Sequence, residues 1–493
     1  LFEDLTLFTK QTLSSILSRM KKSAQRDTKT KKTKPIAALK NQPESSRSAK
    51  SRSFTRLRAR YFAIIAIPVF TCVLILGYFF WAGVSLNRDI ETQSHLETSR
   101  IASREKDVSK EQREQLVNLG YVTSKNIDNA DLGKDGVTIH EEGRAFSGVN
   151  VYCSENSGEL QFMDMQGNVI HRVNINTTDA RLKDNQCKTV SFDKNGNFVM
   201  VIENTALVKS DLQGKELWRL KGRFHHDVDV MDDGTVFALL AERMRPLEQF
   251  DARKNLIDTL IVRISPNGIV ESTLSLGQMI EQVPALMNKA LAHIDNPRFR
   301  SELKPEYLKR DVFHTNTIEV IRRDIEEKGK VLFKAGWIMV CPRHLDSIVV
   351  VDPDAKRIMW HWGEDELQWP HDPSLLADGT VMVFDNGVGL NQSRVIQVSP
   401  GLGKITRTFV GDPPSSFFSE TRGSAQLLAN GNRLICDSEK GRAFEVDDND
   451  NIVWEFWNPD RDAAKQKRAT MFRFNRFDRK MNPFLNGILP PGH

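Results

Sequence analysis

The chain repeats itself, and that periodicity limits its fold more than any other feature. One unit alternates apolar and polar residues, turns on Asp, Asn, Gly or Pro, and resumes alternation. It occurs as GELQFMDMQGNVIHRV (158–173), TALVKSDLQGKELWRL (205–220), DTLIVRISPNGIVESTL (258–274), DSIVVVDPDAKRIMWHW (346–362), SRVIQVSPGLGKITRTF (393–409) and GRAFEVDDNDNIVWEF (441–456). Each copy reads as two strands around a tight turn. Between the copies runs a second unit: CKTVSFDKNGNFVMVIE (187–203), HHDVDVMDDGTVFALLAE (225–242), PHDPSLLADGTVMVFDNG (370–387) and RGSAQLLANGNRLICDSE (422–439). A fifth copy, HTNTIEVI (314–321) then GWIMVCPRH (336–344), carries an insertion between its strands. Four strands per period and six periods predict an all-β, six-bladed β-propeller over 137–460, because ring closure leaves no long exposed sheet edge. A charged stretch at about 277–312 reads as a helical insertion, and 461–493 as a C-terminal extension.

The N-terminal third has a different grammar. Residues 61–86, YFAIIAIPVFTCVLILGYFFWAGVSL, run without a charge and exceed the roughly 20 residues that cross hydrocarbon as a helix. A transmembrane helix is therefore expected, with Tyr61 and Trp81 at its two interfaces. Residues 1–60 hold 16 Lys and Arg against four acids and read as a disordered basic tail. The flanking Arg52, Arg56, Arg58 and Arg60 hold that tail in the cytoplasm. The protein is then expected in the inner or plasma membrane, single-pass, with the propeller periplasmic or extracellular. Residues 87–136 are expected to form a helical stalk or linker. The chain's net charge of +5 thus comes from its tail, so a nucleic-acid-binding body is not implied. Five Cys exclude a disulfide scaffold, and no C-x-x-C pair announces a metal ribbon.

The repeat allows blades to be compared with each other. Eight residues before the turn glycine stand His226 (from Gly234) and His371 (from Gly379), and the motif FHTNTIEV sets His314 in the same slot. The corresponding residues elsewhere are Lys188 and Gly423. Seven residues after the turn glycine stand Arg343 and Asn386. Inner-strand positions of a propeller converge on its axis, so these imidazoles and one guanidinium are expected to share a pocket. His140, His171, His293, His361 and His493 fit no such pattern and read as structural or surface residues, and Trp218, Trp360 and Trp454 as blade-packing residues.

Three His can hold a divalent ion, but an adjacent Arg opposes a cation and favours an anionic substrate. A neutral imidazole can be a nucleophile, a second can move the proton, and a guanidinium can stabilise the oxygens of a transferred sulfuryl or phosphoryl group. No P-loop is present, so nucleotide binding has no support.

At these residues the sequence resembles the bacterial aryl sulfotransferase family, as a membrane-anchored member. The resemblance covers roughly 140–460 and rests on HHDVDVMDDG (225–234), DVFHTNTIEV (311–320), CPRHLDSIVVVD (341–352), HDPSLLADGTVMVFDNG (371–387) and Ser393–Arg394. It implies a sulfuryl group moved from an aryl sulfate ester to a phenolic or hydroxyl acceptor through a sulfohistidine, without metal or organic cofactor. His371 would be the nucleophile, His314 and His226 acid/base or oxyanion partners, and Arg343 the sulfate-holding group. Asn316, expected to orient His314, together with His225, Asn386 and Arg394, would line the substrate site. Thr421 and Arg422 stand where relatives often carry a His-containing segment. Two alternatives remain at this point: a non-catalytic propeller binding a partner or anionic ligand at its mouth, and a quinone-cofactor propeller dehydrogenase.

Overall fold

In the computed structural model, residues 123–155, 158–174, 187–243, 257–295, 311–327 and 329–488 are described. They form six antiparallel sheets in a ring. Blade II comprises Cys187–Phe192, Phe198–Ile202, Ala206–Ser210 and Glu216–Lys221. Blade III comprises Phe224–Val230, Val236–Arg243, Ile257–Ile264 and Val270–Ser275. Blade IV comprises Thr315–Val320, Ile338–Pro342, Ile348–Asp352 and Arg357–Trp362, with a hairpin of Ile325–Glu327 and Lys330–Phe333 between its first two strands. Blade V comprises His371–Leu375, Val381–Asp385, Arg394–Ser399 and Lys404–Val410.

The remaining two blades close the ring. Blade I takes its inner strand, Met471–Phe477, from the far end of the chain and adds Val149–Ser154, Glu159–Met163 and Val169–Asn174. Blade VI has Ser424–Leu427, Arg433–Asp437, Arg442–Val446 and Ile452–Trp457, and gains Gly136–His140 as a fifth, outer strand. Of the segment 461–493, expected as an extension, Met471–Phe477 is thus a strand of the propeller. Likewise 123–136, expected within a helical stalk, contains a strand, Ser124–Asn126, paired with Lys467–Ala469. The apolar run 61–86 and the basic tail lie outside the described residues. Among the described residues no helix is long and apolar enough to cross a membrane. After blade III come helices α1 (Leu276–Ile280) and α2 (Pro284–Asp295), within the segment expected as a helical insertion. Of that segment, 296–310 lies outside the described residues.

The repeat's chemistry explains the turns. Asp164, Asp193, Asp211 and Asp447 each accept backbone N–H bonds from the second and fourth residues after them, at 2.8–3.0 Å. That side-chain loop replaces ladder bonds the backbone cannot make while reversing. Alternation then puts one apolar face of every sheet against each neighbour. Six buried clusters result, one at each blade junction, such as Val199, Val228 and Val262 between blades II and III and Ile348, Val383 and Ile396 between IV and V. Each such fully buried aliphatic side chain contributes roughly 1.5–3 kcal/mol. Trp454 and Trp218 reach across their junctions and donate their indole N–H to Met165 O and Pro266 O, both at 2.9 Å.

Polar latches repeat around the inner strands. Ser191, Asp229, Glu319 and Gln426 each accept a backbone N–H from the next blade, those of Val230, Val320, Leu375 and Arg476. One step nearer the opposite mouth, Asp227 accepts from Ile318 N–H, Thr317 from Asp372 N–H and Asp372 from Ala425 N–H. These bonds fix the rotational setting of each blade, which apolar packing alone leaves loosely defined.

Candidate functional site

The site is built where the inner strands depart from regular pairing. Their register shifts within the first residues of five blades, among them between Phe224 and Val228, Thr315 and Ile318, and His371 and Ser374. A bulge adds a residue without lengthening the partner strand and re-aims the side chains there. Non-glycine residues at this end that take left-handed backbone include His226 (φ 60), His314 (φ 43), Trp369 (φ 57) and Asp372 (φ 53). Each such conformation costs on the order of 1 kcal/mol and persists only where packing imposes it.

Strand register, counted four residues back from the last pair before each turn, aligns Arg473, Lys188, His226, Asn316, His371 and Gly423. Asn316, and not His314, is therefore the blade IV equivalent of the two histidines. The inserted hairpin in that blade removes the ordinary turn from which the position would be counted. His314 lies two residues earlier, yet its imidazole meets that of His226 with ring centroids 4.7 Å apart. At Gly423 a Cβ would fall 2.3 Å from the Phe384 ring, so blade VI can present no side chain there.

Each candidate has its own support. Asn386 donates its amide N–H groups to Ser419 O (2.6 Å) and Arg422 O (2.8 Å), which turns its Oδ1 toward His371. His371 Nδ1–H donates to that oxygen at 2.7 Å and approaches Trp369 O at 3.1 Å. The tautomer is thereby assigned, and the lone pair sits on Nε2. His314 Nδ1 contacts Asp311 Oδ2 at 2.6 Å, and Asp311 also accepts the His314 backbone N–H. His226 has two neighbours of its own: its Nδ1 lies 3.0 Å from His225 Nδ1, and its backbone N–H donates to Glu203. Arg343 is buried and its guanidinium lies over the Trp369 ring at 4.3 Å.

The electrostatics make these groups one unit. Burial lowers the His226 titration well below the ordinary imidazole range, and positive charge at His314, His225, His371 and Arg343 adds to it. His371 is lowered by burial and then by Arg343. Burial brings His225 down to about 4. Burial works to raise Asp311, but the His314 imidazole outweighs it and holds the carboxyl at about 2. The site therefore keeps most of its imidazoles neutral while a fixed guanidinium and an Asp–His pair supply charge.

Two of the expected site residues have hydrogen-bond partners outside the imidazole cluster. Asn316 donates to Pro370 O at 2.9 Å and accepts from the Thr317 hydroxyl at 3.0 Å, so it braces the junction of blades IV and V. Arg394, at the start of the third strand of blade V, is committed to Asp385 Oδ2 at 2.7 Å and Glu366 O at 2.6 Å. Residues the sequence did not single out also belong here. Asp311, Glu203 and Trp369 back the candidates. His344 stacks on His314 at 4.7 Å, and His293, read as structural or surface, stacks on His344 at 4.3 Å. Asp311 lies three residues before His314 and Trp369 two before His371, so proximity in sequence was the available signal.

Among the described residues no group of three or more His, Cys, Asp or Glu has a metal-binding arrangement. Cys153 is disulfide-bonded, whereas Cys341 and Cys436 are buried free thiols.

A family model described as arylsulfotransferase (ASST) matches residues 194–459. No curated protein matches the chain. Similar solved structures include a protein of unknown function from Bacteroides caccae (12% identical, covering 67% of this chain and 98% of that one, TM-score 0.43). A catalytically inactive virginiamycin B lyase from Staphylococcus aureus with quinupristin is 10% identical, covering 68% of this chain and 87% of that one at a TM-score of 0.37. A streptogramin B lyase is 9% identical, covering 72% and 97% at 0.38. Likeness at that level carries no argument about this chain.

Proposed function

The chain belongs to the arylsulfotransferase (ASST) family, and from that premise we propose that it moves a sulfuryl group from an aryl sulfate ester to a phenolic or hydroxyl acceptor through a sulfohistidine at His371. The observation that carries this is the assigned tautomer: with Nδ1–H donated to Asn386 Oδ1 at 2.7 Å, His371 offers an Nε2 lone pair. Burial and Arg343 favour its neutral form at neutral pH.

In the first half-reaction the Nε2 lone pair attacks sulfur, an N–S bond forms and the S–O(aryl) bond breaks. The departing aryloxide takes a proton from the His314 imidazolium, whose charge the Asp311 carboxylate supports. Arg343 and His226 act on the sulfuryl oxygens, where a buried guanidinium and an imidazole N–H are worth far more than in water. In the second half-reaction the acceptor gives its hydroxyl proton to neutral His314 and attacks sulfur. The N–S bond breaks and its electron pair returns to Nε2. Protons and charge balance over the cycle, and no cofactor is required.

We further propose that the protein is anchored by 61–86 with the propeller outside the cytoplasm. The charge-free run and its arginine flank support this, as does the disulfide at Cys153, since such bonds persist in oxidising compartments.

The test is covalent labelling of the full chain with an aryl sulfate, followed by peptide mass analysis. One added sulfuryl group on the peptide holding His371, absent in His371→Asn along with a loss on the order of 10³-fold or more in turnover, is expected. A folded His371→Asn variant with unchanged turnover, or a label on another residue, overturns the assignment. Tight sulfate-ester binding without transfer would instead favour a binding propeller.

A further inference from the structure

Arg473 lies beneath the imidazoles, at the blade I position that strand register equates with His226 and His371. Its guanidinium donates to both carboxylate oxygens of Asp227, at 2.9 and 3.2 Å, and to Thr189 Oγ1 at 3.1 Å. It also pairs with Asp372 Oδ1 at 2.6 Å. Asp227 directly follows His226 and Asp372 directly follows His371. Asp227 Oδ2 also accepts Ile318 N–H of blade IV at 3.1 Å, and Asp372 Oδ2 accepts Ala425 N–H of blade VI at 3.0 Å. One planar cation therefore reaches blades II, III and V directly and blades IV and VI through one carboxylate each. Below it, toward the turns, lies an axial cavity of about 640 Å³ whose lining includes Asp229, Glu319 and Arg322 as well as the triad of Arg473, Asp227 and Asp372 itself.

We infer that Arg473 is a positioning residue of the reaction proposed above, setting the orientation of His226 and His371 through Asp227 and Asp372; the inference rests on that reading. The physical case is that His226 and Asp372 sit in left-handed backbone that local preference opposes. The two carboxylates are the anchors that hold those bulges. Each is buried, and burial raises its titration, while Arg473 and a backbone N–H support the anion against that cost. Removing the guanidinium leaves two buried carboxylates facing each other, which must protonate or separate. Either response turns the adjoining imidazoles. A bidentate fork also fixes direction in a way a single ammonium does not. Arg473 touches no reacting group and is not a catalytic residue.

The test uses the full chain with Arg473→Met and Arg473→Lys, and Gln426→Ala as a variant that breaks the seam between blades VI and I without touching the triad. Gln426 accepts Arg476 N–H at 2.8 Å and donates to Arg476 O at 2.9 Å. Three readouts are taken: melting temperature, kcat and KM for an aryl sulfate, and the imidazole signals of His226 and His371 by NMR with labelled histidine. Arg473→Met is expected to lower kcat by about 10²-fold with KM nearly unchanged, as expected when a misplaced group loses its attack geometry. Arg473→Lys regains part of that loss, and both imidazole signals move together. Gln426→Ala is expected to lower melting temperature and leave kcat and the two signals in place. Unchanged imidazole signals in Arg473→Met overturn the inference, as does a kcat loss in Gln426→Ala that matches its melting shift. If the wild-type chain transfers no sulfuryl group, the proposed function fails, while the imidazole signals still decide whether Arg473 positions the two histidines.

Discussion

His226 and His371 occupy one position in blades III and V, and their surroundings diverge completely. His371 is held by a neutral amide whose own orientation is locked by two carbonyls. His226 is held by a second imidazole and, through its backbone, by the Glu203 carboxylate. Asn386 stands seven residues after its turn glycine, and Glu203 stands seven after Gly196 one blade earlier. Pseudo-symmetry thus delivers equivalent side chains to one place, and the residues around them, Asn386 after the second strand of blade V and His225 with Glu203 of blade II, make them different. An amide that only accepts at Nδ1 leaves a lone pair exposed on the other nitrogen. A histidine pair leaves the proton position exchangeable, which suits a hydrogen-bond donor to sulfuryl oxygens.

That contrast can be broken in stages. His226→Asn is expected to slow turnover by roughly 10²–10⁴-fold while covalent labelling of His371 persists, measured by single-turnover kinetics and peptide mass. If labelling disappears too, the two histidines are not functionally distinct. Asp311→Asn is expected to cost about 10²-fold at neutral pH, because the imidazolium at His314 loses its carboxylate. Part of the rate should return as pH is lowered, a shift read from the pH–rate profile. Asn386→Leu keeps the volume and removes the acceptor at His371. Trp369 O remains at 3.1 Å, so the expected loss is about tenfold, and a larger loss in labelling than in acceptor transfer would sharpen the nucleophile assignment.

The smallest effect concerns stability, and it extends the contrast along the axis. Burial keeps imidazoles neutral at one end and a carboxyl neutral at the other, where Glu319 is pushed up to about 8. The pH signs are opposite. His225, lowered to about 4, adds stability that is present above the ordinary imidazole range and declines as pH falls toward 4. Glu319, raised, adds stability present below the ordinary carboxyl range and lost as pH rises through about 8. Glu319→Gln keeps an acceptor for Leu375 N–H and abolishes that titration. It should raise the melting temperature by a few degrees at pH 8, leave it unchanged near pH 4, and leave turnover unaltered. Equal shifts at both pH values would count against the buried-acid account.

The blades were legible because the outer hairpins carry their own punctuation, in most an Asp or Ser that folds onto its turn, with a residue in left-handed backbone such as Gly214 (φ 81). The inner strand of blade I was not. MFRFNRF has no turn of its own, and its partner Val149–Ser154 lies at the other end of the propeller sequence. Counting from turns found His226 and His371 correctly as equivalents but misplaced His314, because the Ile325–Glu327 and Lys330–Phe333 hairpin displaces the reference point. Arg343 and Asn386 share a slot that the count identified. Asp311, Trp369 and Arg473 were invisible to it, since they act across blades or from loops, and periodicity records only what each blade repeats.

Ring closure also sets a birth order. The strand that completes blade I, and with it Arg473, leaves the ribosome after every other strand of the six blades. A nascent or truncated polypeptide ending between Asp372 and Thr470 carries His225, His226, His314, His371 and the guanidinium of Arg343 and still lacks the cation that gathers them. Fidelity of the final stretch of translation is therefore checked by the architecture itself, and a prematurely stopped product should be inert as well as open.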